Sequence, residues 1–571
     1  MAKSWFLRPR PEPKLQPEQI LERLDPEQRE AAISLVGPTC ILAGAGTGKT
    51  RTVTHRIAYG IAKGYFAANR ILALTYTNRA AGELRARLRQ LGITGVSVKT
   101  FHAAALAQLQ YFWPQFAGIP APSVIESKAK LIFQVADSLK LKFDTAAIRD
   151  IAAEIEWRKF SMISLDDYEQ LAASRPKVAG LSAEVLVQLQ RGYEEAKISS
   201  NRLDWEDVLI LTLGMLRAEP RALAHVQQQY RFFTVDEYQD ISPLQHELLD
   251  LWLGDHQDLC VVGDPNQTIY SFTGATSEYL HNFANRYESA TLVSLTRNYR
   301  STQEIVSFAN KLTRDATDMS PLVSQGTLGT APLIRAFDSL ADEAKAIAKS
   351  ISDRLEQGIS PAEIAVLYRV NGQAEPIEHA LSALGIDYQV RGGERYFSRQ
   401  DVQQALAAFR VEALSSPDAP SFEAVSKVLR SLGWTTSAPA ERGAAYERWE
   451  ALNALMQILE EQVEELTLSD FSKELEERVR SQHEPVKAAV TLATMHSAKG
   501  LEWDVVYLAG LTDGYLPIGY AKTETEIAEE RRLFYVGVTR ARKQLSLSYP
   551  SADVPGGRKR EPSRFLKLVT A

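Results

Sequence analysis

The chain has 571 residues, a formal net charge of −6, and 45% hydrophobic, 24% charged and 9% aromatic residues. At about 150 residues per domain, this length gives about four domains, and the composition excludes a single small module and a disordered or fibrous chain. The negative bulk charge argues mildly against a polyanion partner. A nucleic-acid surface would therefore have to be a local groove with its own basic and aromatic lining.

The sequence predicts neither a membrane span nor a secretory signal. No run of 18 apolar residues occurs, and the start, MAKSWFLRPRPEPK, has no apolar stretch behind its basic residues. Cys40 and Cys260 lie in apolar, strand-like runs, which favours reduced core residues over a disulfide or a metal pair. We expect a cytoplasmic protein.

Short β-branched runs alternate with helix-like stretches, and this pattern predicts two α/β units with mostly parallel sheets. The first series of runs lies at 39–43, 70–75, 96–99, 232–235, 259–263 and 292–295. The second lies at 364–369, 490–494, 505–509 and 545–549. Helix-like stretches at 109–202 and 411–486 interrupt the two units, the latter with Leu452, Leu455, Leu459, Val463 and Leu466 at amphipathic spacing.

The second interruption contains the most acidic part of the chain. Residues 441–480 include 11 acidic and 5 basic residues. A solvated helix face on a small subdomain is favoured over an acidic docking site, and both interpretations stay open.

The segment AGAGTGKT, residues 43–50, follows an apolar run and precedes a helix-like pattern, as a phosphate-binding P-loop does. Its glycines allow backbone N–H groups to surround phosphates, while Lys49 reaches the β- and γ-phosphates and Thr50 binds Mg²⁺. Ala43 replaces the first glycine of the strict pattern, at the strand end and outside the cradle. The predicted nucleotide site also includes Ala45, Gly46, Thr47, Gly48 and Arg51.

A second apolar run, FFTV at 232–235, leads into the acidic segment DEYQD at 236–240. We expect Asp236 to anchor Mg²⁺ and Glu237 to orient and deprotonate the attacking water. The interval from Lys49 to Asp236 is too long for one nucleotide-binding lobe, which supports an inserted domain at 109–202.

Seven segments together resemble the superfamily 1 DNA helicases of the UvrD, Rep and PcrA type. They are AGAGTGKT, LTYTNRAAGEL (74–84), DEYQD, VGDPNQTIYSFTGA (262–275), NYRS (298–301), TMHSAKGLEW (494–503) and EERRLFYVGVTRAR (529–542). Their order and spacing match the family from near residue 24 to Leu566. The segment at 482–504 is similar to the shorter actinobacterial UvrD-like helicases.

The resemblance implies two RecA-like lobes, each with a mainly helical insertion. The expected first lobe spans 1–108 and 203–291, around an insertion at 109–202. The expected second lobe spans 292–390 and 487–571, around a shortened insertion at 391–486.

The resemblance also implies ATP and Mg²⁺ in a cleft between the lobes. Four residues are expected on ATP: Gln28 at the adenine, Tyr299 stacked on the base, Glu502 at the ribose and Gln267 at the γ-phosphate. Arg300 and Arg540 are expected to reach the γ-phosphate from the second lobe. Such arginine fingers contribute about 10³ to 10⁵ in rate in GTPases.

Single-stranded DNA is bound by aromatic stacking and phosphate contacts. The resemblance implies base contacts from Tyr76, Tyr270 and Phe272, for which core packing is the alternative. It implies strand contacts from Asn78, His102, Arg369, Asn371 and His496. His102 and His496 are interpreted as strand-contacting or core residues and not as a metal pair, because no carboxylates lie near them at ligand spacing.

Several positions depart from the family pattern. Thr273 stands where larger members carry Arg, and Arg79 replaces a Lys. The second insertion, which engages duplex in the family, is short. The expected strand-separating hairpin, residues 548–566, has Gly556, Gly557 and the basic residues 558–560 at its tip but no aromatic wedge. The chain stops at Ala571 without the accessory C-terminal module of some relatives.

The leading hypothesis is an ATP-dependent DNA helicase that moves 3′ to 5′ on single strands and unwinds duplexes in repair or replication restart. One alternative is a translocase that strips proteins from DNA and unwinds poorly without a partner. Another is a nucleotide-switched scaffold that does not hydrolyse ATP. Expected partners are single-stranded DNA, its junctions with duplex and repair or replication proteins, with the chain a monomer or weakly self-associated.

Overall fold

A computed structural model describes residues 16–125, 127–172, 175, 177–314, 320–391, 397, 400–417, 419–437, 444–460, 467–481, 488–553, 557 and 559–570. The chain forms two compact units. The first comprises Met1–Tyr299 and Ala316–Val323, and the second comprises Arg300–Asp315 and Ser324–Ala571. Each unit has a parallel sheet and its own apolar cores.

The first unit contains helices α1–α14 and strands β1–β9. The helices are α1 (Pro17–Leu21), α2 (Pro26–Ile33), α3 (Lys49–Ala62), α4 (Asn78–Gln90), α5 (Phe101–Ala117), α6 (Lys128–Ser138), α7 (Thr145–Phe160), α8 (Leu165–Ala172), α9 (Ala183–Ser199), α10 (Trp205–Ala218), α11 (Pro220–Gln229), α12 (Pro243–Leu253), α13 (Glu278–His281) and α14 (Phe283–Arg286). The strands are β1 (Thr39–Ala43), β2 (Ile71–Thr75), β3 (Ser97–Thr100), β4 (Ser123–Val124), β5 (Arg202–Leu203), β6 (Phe232–Val235), β7 (Leu259–Gly263), β8 (Thr291–Leu295) and β9 (Arg297–Asn298).

The main sheet of the first unit has the order β3-β2-β6-β7-β1-β8, and its neighbouring strands pair in parallel. Its four inner strands, β2, β6, β7 and β1, are mostly apolar because helices cover both faces of the sheet. The carboxyl ends of parallel strands meet at one edge of a sheet, where ligands bind in open α/β folds. The loops after β1, β2, β6 and β7 therefore lie together at this edge.

The insertion of the first unit has a separate apolar core. This core runs from Ile132 on α6 to Tyr193 on α9 and includes Ile151, Ile155 and Tyr168. Helix α5, in contrast, buries Leu109 and Phe112 in the core of the sheet domain. The helix-like interruption expected to begin at residue 109 therefore starts on a helix that packs in the sheet domain.

Buried charges join the insertion to the sheet domain. The Asp204 carboxylate accepts hydrogen bonds from Lys159 Nζ at 2.7 Å and from Lys197 Nζ at 2.8 Å, and all three side chains are buried. The same carboxylate caps α10 by accepting from the backbone N–H of Asp207. Burial opposes its ionisation, but the two lysines hold the pKa of Asp204 well below its usual range.

The second unit contains helices α15–α23 and strands β10–β16. The helices are α15 (Gln303–Thr313), α16 (Leu340–Glu356), α17 (Ala374–Ala383), α18 (Gln400–Ser415), α19 (Ser421–Ser431), α20 (Ala444–Glu460), α21 (Leu468–Ser481), α22 (Glu524–Val538) and α23 (Arg564–Thr570). The strands are β10 (Val323–Ser324), β11 (Leu333–Phe337), β12 (Ile364–Tyr368), β13 (Tyr388–Arg391), β14 (Val490–Thr494), β15 (Trp503–Leu508) and β16 (Ala541–Pro550). The main sheet has the order β11-β16-β15-β12-β14-β13.

The second unit also carries a separate helical insertion. Helices α18–α21 share a core that includes Leu452, Leu455 and Leu459, as their amphipathic spacing predicts. Val463 and Leu466, assigned to the same pattern, lie outside the described residues. Within the described ranges, none of the helices has both the length and the apolar character that a bilayer crossing requires.

The predicted strands are confirmed in both units, with one difference in domain assignment. Strand β8 pairs with β1 over Thr39↔Thr291 to Ala43↔Leu295, in the sheet of the first unit. The expected boundary after residue 291 had assigned this strand to the second lobe. Edge strands β11 and β13 were not predicted, because neither is a buried apolar run. Cys40 and Cys260 are buried and reduced, as expected.

We predict that Asp204→Asn destabilises the first unit by about 1.5 to 3 kcal/mol, because two buried lysines lose one of the three carboxylates that they share. Chemical denaturation at neutral pH measures this loss. Asp166→Asn is the matched control, because Asp166 pairs with Arg191 on the surface and such pairs contribute about 0 to 1 kcal/mol. Equal losses in the two variants would contradict the assigned role of Asp204.

Candidate functional site

The loop between β1 and α3 has the backbone that a phosphate cradle needs. Gly46 has φ 70° and Gly48 has φ 82°, a left-handed conformation that favours glycine. Thr47 closes the turn, since its hydroxyl donates to the Gly44 carbonyl at 2.8 Å. Helix α3 begins at Lys49, so its N-terminus faces the loop and favours an anion there.

Side chains distant in sequence hold this loop in place. The Gln28 amide donates to the Thr47 carbonyl at 2.9 Å, and the Asn298 amide donates to the Ala45 carbonyl at 2.7 Å. The Tyr299 backbone N–H donates to the Gly46 carbonyl at 2.9 Å, and its hydroxyl donates to Asp25 at 2.6 Å. Gln28 and Tyr299, both predicted nucleotide residues, thus border the P-loop.

Two further predicted residues follow Lys49 on α3. Thr50 lies in the first turn and is half-buried. The Arg51 guanidinium donates to the Arg23 carbonyl.

The predicted acid pair stands at the end of β6 and faces the P-loop lysine. Lys49 Nζ lies 3.5 Å from Glu237 Oε1. Glu237 itself has φ 55°, a strained conformation for a residue with a side chain, and such strain is concentrated at functional sites. Its backbone N–H donates to Asp236 Oδ1 at 3.0 Å. The structure therefore brings Lys49, Asp236 and Glu237 together.

Asp236 is 9% exposed. Burial and the neighbouring Glu237 carboxylate raise its pKa to about 7, against the opposing effect of Lys49. A cation beside Asp236 would reverse this shift, so the residue fits a metal ligand. The described residues contain no group of three His, Cys, Asp or Glu side chains arranged for a metal. The single carboxylate of Asp236 fits Mg²⁺, because proteins bind Mg²⁺ through one or two carboxylates together with phosphates and waters.

The loop after β7 joins the same site. Gln267, the predicted γ-phosphate sensor, donates from its amide to Asp264 Oδ2 at 2.6 Å, and both residues are buried. Burial raises the pKa of Asp264, and the charge of Lys49 opposes this.

Aromatic residues from two loops of the sheet edge form a surface. The Tyr76 and Tyr270 rings are stacked at 5.3 Å with an interplanar angle of 13°. Phe272 meets Tyr270 edge to face at 6.1 Å and is 53% exposed. Tyr76 is 37% exposed, so neither it nor Phe272 is a core residue. Asn78 is exposed at the start of α4.

His102 lies between two further aromatic rings. It meets Phe160 at 6.0 Å and Trp205 at 5.9 Å, both edge to face. Burial and the charge of Lys128 lower its pKa to about 4, so His102 is neutral at pH 7. Trp205, 47% exposed at the start of α10, was not predicted. The available signal in the sequence was a Trp directly after Asp204, because Asp is a residue type that often caps the start of a helix.

In the second unit, two of the predicted nucleotide residues, Arg300 and Glu502, contact each other. Arg300 Nε donates to Glu502 Oε2 at 2.6 Å, and Arg300 Nη1 donates to the Thr539 carbonyl at 3.2 Å. Burial would raise the pKa of Glu502, but Arg300 holds it below its usual range. Arg540 is 2% exposed and donates to the carbonyls of Val536 and Leu501.

Three predicted strand-contacting residues also lie in the second unit. Arg369 forms a two-pronged ion pair with Glu530, with its Nε at 3.0 Å from Oε2 and its Nη2 at 2.8 Å from Oε1. Burial, Arg369 and Lys499 lower the pKa of His496 to about 3. Asn371 begins a short 3₁₀ turn and is exposed.

The expected hairpin at 548–566 is described in part. Gly556 and Arg558 lie outside the described residues. Ala552 pairs with Lys559 in an antiparallel bridge. Arg560 lies over the Tyr515 ring at 4.3 Å and forms an ion pair with Asp553.

Comparison with known proteins places this geometry in a wider group. Residues 24–288 match the family model described as the UvrD/REP helicase N-terminal domain, and residues 293–440 and 414–552 match that of the UvrD-like helicase C-terminal domain. The ATP-dependent DNA helicase UvrD2 of Mycobacterium tuberculosis (strain ATCC 25618 / H37Rv) is 43% identical over 574 residues, which cover 96% of this chain and 82% of the relative. The ATP-dependent DNA helicase PcrA of Bacillus subtilis (strain 168) is 28% identical over 623 residues, covering 93% and 83%.

We predict that Asp236→Asn stabilises the nucleotide-free, Mg²⁺-free protein at pH 8 by about 1 to 4 kcal/mol, since a three-unit rise in pKa corresponds to about 4 kcal/mol. A pKa near 7 means that the folded state binds more protons than the unfolded state between about pH 4 and pH 7. Stability contributed by Asp236 therefore falls as the pH rises through this window. At pH 5 we expect little difference between variant and parent.

Denaturation at pH 5 and pH 8 tests this prediction. Asp255→Asn, on an exposed residue of the same unit, is the matched control and should change stability by no more than about 0.5 kcal/mol, as surface substitutions usually do. A stabilisation by Asp236→Asn that is equal at both pH values would show that the buried charge is not its cause.

Proposed function

The chain belongs to the UvrD/Rep family of ATP-dependent DNA helicases, and from that premise we propose that it moves 3′ to 5′ along single-stranded DNA and unwinds duplexes in repair or replication restart. One observation carries this proposal. The P-loop, the acid pair and the stacked Tyr76–Tyr270 rings occupy loops at the same edge of one parallel sheet. This proximity supports the proposal that nucleotide chemistry and strand contact are coupled within the first unit.

We assign nucleotide binding to the loop from Ala45 to Arg51, with the adenine at Gln28 and Tyr299. The contacts of Gln28, Asn298 and Tyr299 to P-loop carbonyls support this assignment, because all three hold the loop through its carbonyl groups, whereas phosphates are bound by N–H groups. The ribose is assigned to Glu502. Mg²⁺, held by Thr50 and Asp236, would supply charge neutralisation on the phosphates when bound.

Hydrolysis is assigned to the residues around the γ-phosphate. Glu237 orients the attacking water and accepts its proton, while Lys49 and Gln267 contact the phosphate. Arg300 and Arg540 of the second unit stabilise the charge that develops during transfer. The Arg540 guanidinium is buried and held by two backbone carbonyls. This supports the role, since a preorganised cation needs no rearrangement during the reaction.

The DNA strand is assigned to the aromatic surface of the first unit and to Arg369, Asn371 and His496 of the second. Stacking on Tyr76, Tyr270 and Phe272 is tolerant of base sequence, because every base has a π-face. Asn78 and His102 complete the set. A neutral His102 donates or accepts hydrogen bonds without adding charge.

The remaining finer assignments extend the same proposal. The four domains are those given by the sequence, with the end of the first lobe moved past β8 to Tyr299. The protein works in the cytoplasm on nucleoid DNA, at junctions between single strands and duplex, as a monomer or weak self-associate. Repair or replication proteins are its expected partners.

One observation favours a second candidate function. The strand-separating hairpin expected at 548–566 has no aromatic residue around its tip, between Pro550 and Pro562. In the described part of this segment, Arg560 is instead paired with Asp553 and stacked on Tyr515. This hairpin would suit a translocase that removes proteins from single strands and needs a partner to unwind duplexes.

We predict DNA-stimulated ATP hydrolysis and displacement of strands from duplexes with a 3′ tail. Glu237→Gln should lower the rate of hydrolysis by about 10² to 10⁴, the usual contribution of a general base, while ATP still binds. Lys49→Ala should lower both binding and hydrolysis. Steady-state hydrolysis and strand displacement on 3′- and 5′-tailed duplexes measure these effects.

Glu247→Gln is the matched control for this assay, because Glu247 forms an exposed pair with Arg217. Stimulated hydrolysis without displacement selects the translocase. Absence of hydrolysis selects the scaffold, and preference for a 5′ tail contradicts the proposed polarity.

We also predict that Tyr76→Ala and Phe272→Ala each weaken binding of an oligo-dT strand by about 1 to 3 kcal/mol, the value of one lost stacking contact. Fluorescence anisotropy at fixed salt measures the affinities. Tyr65→Ala removes an exposed ring at the opposite end of β2 and should leave them unchanged. Unchanged affinity in Tyr76→Ala and Phe272→Ala would refute the stacking assignment.

A further inference from the structure

A completely buried amide connects the acid pair to the loop that carries the aromatic surface. Gln239 is 0% exposed and lies in the 3₁₀ turn Tyr238–Asp240, directly after Glu237 and Tyr238. Its Nε2 donates to Glu237 Oε2 and, at 3.2 Å, to Asp240 Oδ2. Its Oε1 accepts from the backbone N–H of Asp264 at 2.9 Å.

The chemistry of these partners fixes the orientation of the amide. Ionised carboxylates only accept hydrogen bonds, and a backbone N–H only donates. The NH₂ group must therefore face Glu237 and Asp240, and the carbonyl must face Asp264. Neither an apolar side chain nor a carboxylate can serve both ends, so the position demands an amide.

Each end of Gln239 belongs to a different part of the proposed machinery. The NH₂ group of Gln239 holds Glu237, the proposed general base. The carbonyl of Gln239 accepts from Asp264, at the start of the next loop. In this loop the Asp264 carboxylate holds the Gln267 amide, and the chain continues to Tyr270 and Phe272.

A backbone hydrogen bond joins the two loops a second time. The Thr276 N–H donates to the Ile241 carbonyl at 3.1 Å. The loop from Asp264 to Thr276 is therefore fixed to residues 239–241 on both sides of its aromatic residues.

Gly263 lies so close to the Gln239 side chain that a larger residue at position 263 would disturb these hydrogen bonds. A Cβ added at Gly263 would lie 2.7 Å from Gln239 Oε1, closer than side chains tolerate. It would also lie 2.7 Å from Leu280 Cδ2. An alanine at 263 would therefore displace the amide without changing its chemistry.

We propose that Gln239 is a positioning residue through which a DNA strand on Tyr76 and Tyr270 controls the orientation of Glu237, and that it thereby sets the stimulation of ATP hydrolysis by DNA. The inference rests on the proposed function and adds the element that couples its two halves. A shift of the aromatic loop moves the Asp264 N–H, and the rigid amide transmits that shift to the Glu237 carboxylate. Movements of this size matter, because a displacement of about 1 Å at a reacting group costs about 10²-fold in rate.

The test compares the full chain with Gln239→Met and Gly263→Ala. For Gln239→Met we expect the kcat measured with saturating oligo-dT to fall about 10- to 100-fold, and the DNA-free kcat to fall less. The ratio of the two rates should therefore fall. KM for ATP and affinity for oligo-dT should remain within about threefold of the parent. Gly263→Ala should lower the same ratio by a smaller factor.

Two controls separate coupling from loss of stability. Gln108→Met removes another buried amide of the first unit, which accepts a hydrogen bond from Trp252 away from the site. Gly214→Ala adds a methyl group where no atom lies within 4 Å. Both should keep the ratio of the parent.

A parent-like ratio in Gln239→Met, or an equal fall in Gln108→Met, would overturn the inference. So would a fall in the ratio that only follows lost affinity for oligo-dT. If Gln239→Met does not fold, Gly263→Ala carries the test alone, and a parent-like ratio in it refutes the coupling. A parent chain whose hydrolysis ignores DNA would instead refute the proposed function itself.

Discussion

An acid pair opposite one lysine, with Asp236 buried and Glu237 half-buried at the carboxyl edge of a parallel sheet, is the interaction on which the rest of the first unit depends. Asp236 and Glu237 repel each other in a poorly solvated site, and Lys49 compensates only part of their charge. Removal of charged groups from water is costly unless they are paired. A nucleotide with its cation would bring both the positive charge for Asp236 and the phosphates for Lys49. The ligand that the site is proposed to bind would thus stabilise it.

The order of the sheet explains how residues far apart in sequence reach this site. Strand β1 lies between β7 and β8, and β6 lies between β2 and β7. The P-loop, the acid pair and the loop from Asp264 therefore end side by side, with Tyr76 after β2. Buried hydrogen bonds then fix the loops to one another. Asn298 and Gln28 bind the P-loop, and Gln239 binds the two loops that follow β6 and β7.

The sequence predicted those features that depend on residues close together in the chain. The central strands are continuous apolar runs, so β1, β6, β7 and β14 were predicted with their bounds. The edge strands β11 and β13 are more exposed and mixed in character, and strand pairing alone defines them. The Arg369–Glu530 pair, which joins residues 161 positions apart, has no local signal. The contacts of Gln239 were also beyond prediction, because a buried glutamine is recognised only from its surroundings.

The insertion and the aromatic surface of the first unit are not independent. Asp204 caps α10, on which Trp205 is the first residue, and it also binds the buried Lys159 and Lys197 of the insertion. Phe160, directly after Lys159, meets His102, and the Cβ of Phe160 would lie only 3.1 Å from a Cβ added at Gly274. Asp204 and the lysines that it binds therefore join the insertion to the helix that begins with Trp205. A change in this buried cluster is thus expected to disturb the rings beside the loop that carries Tyr270 and Phe272.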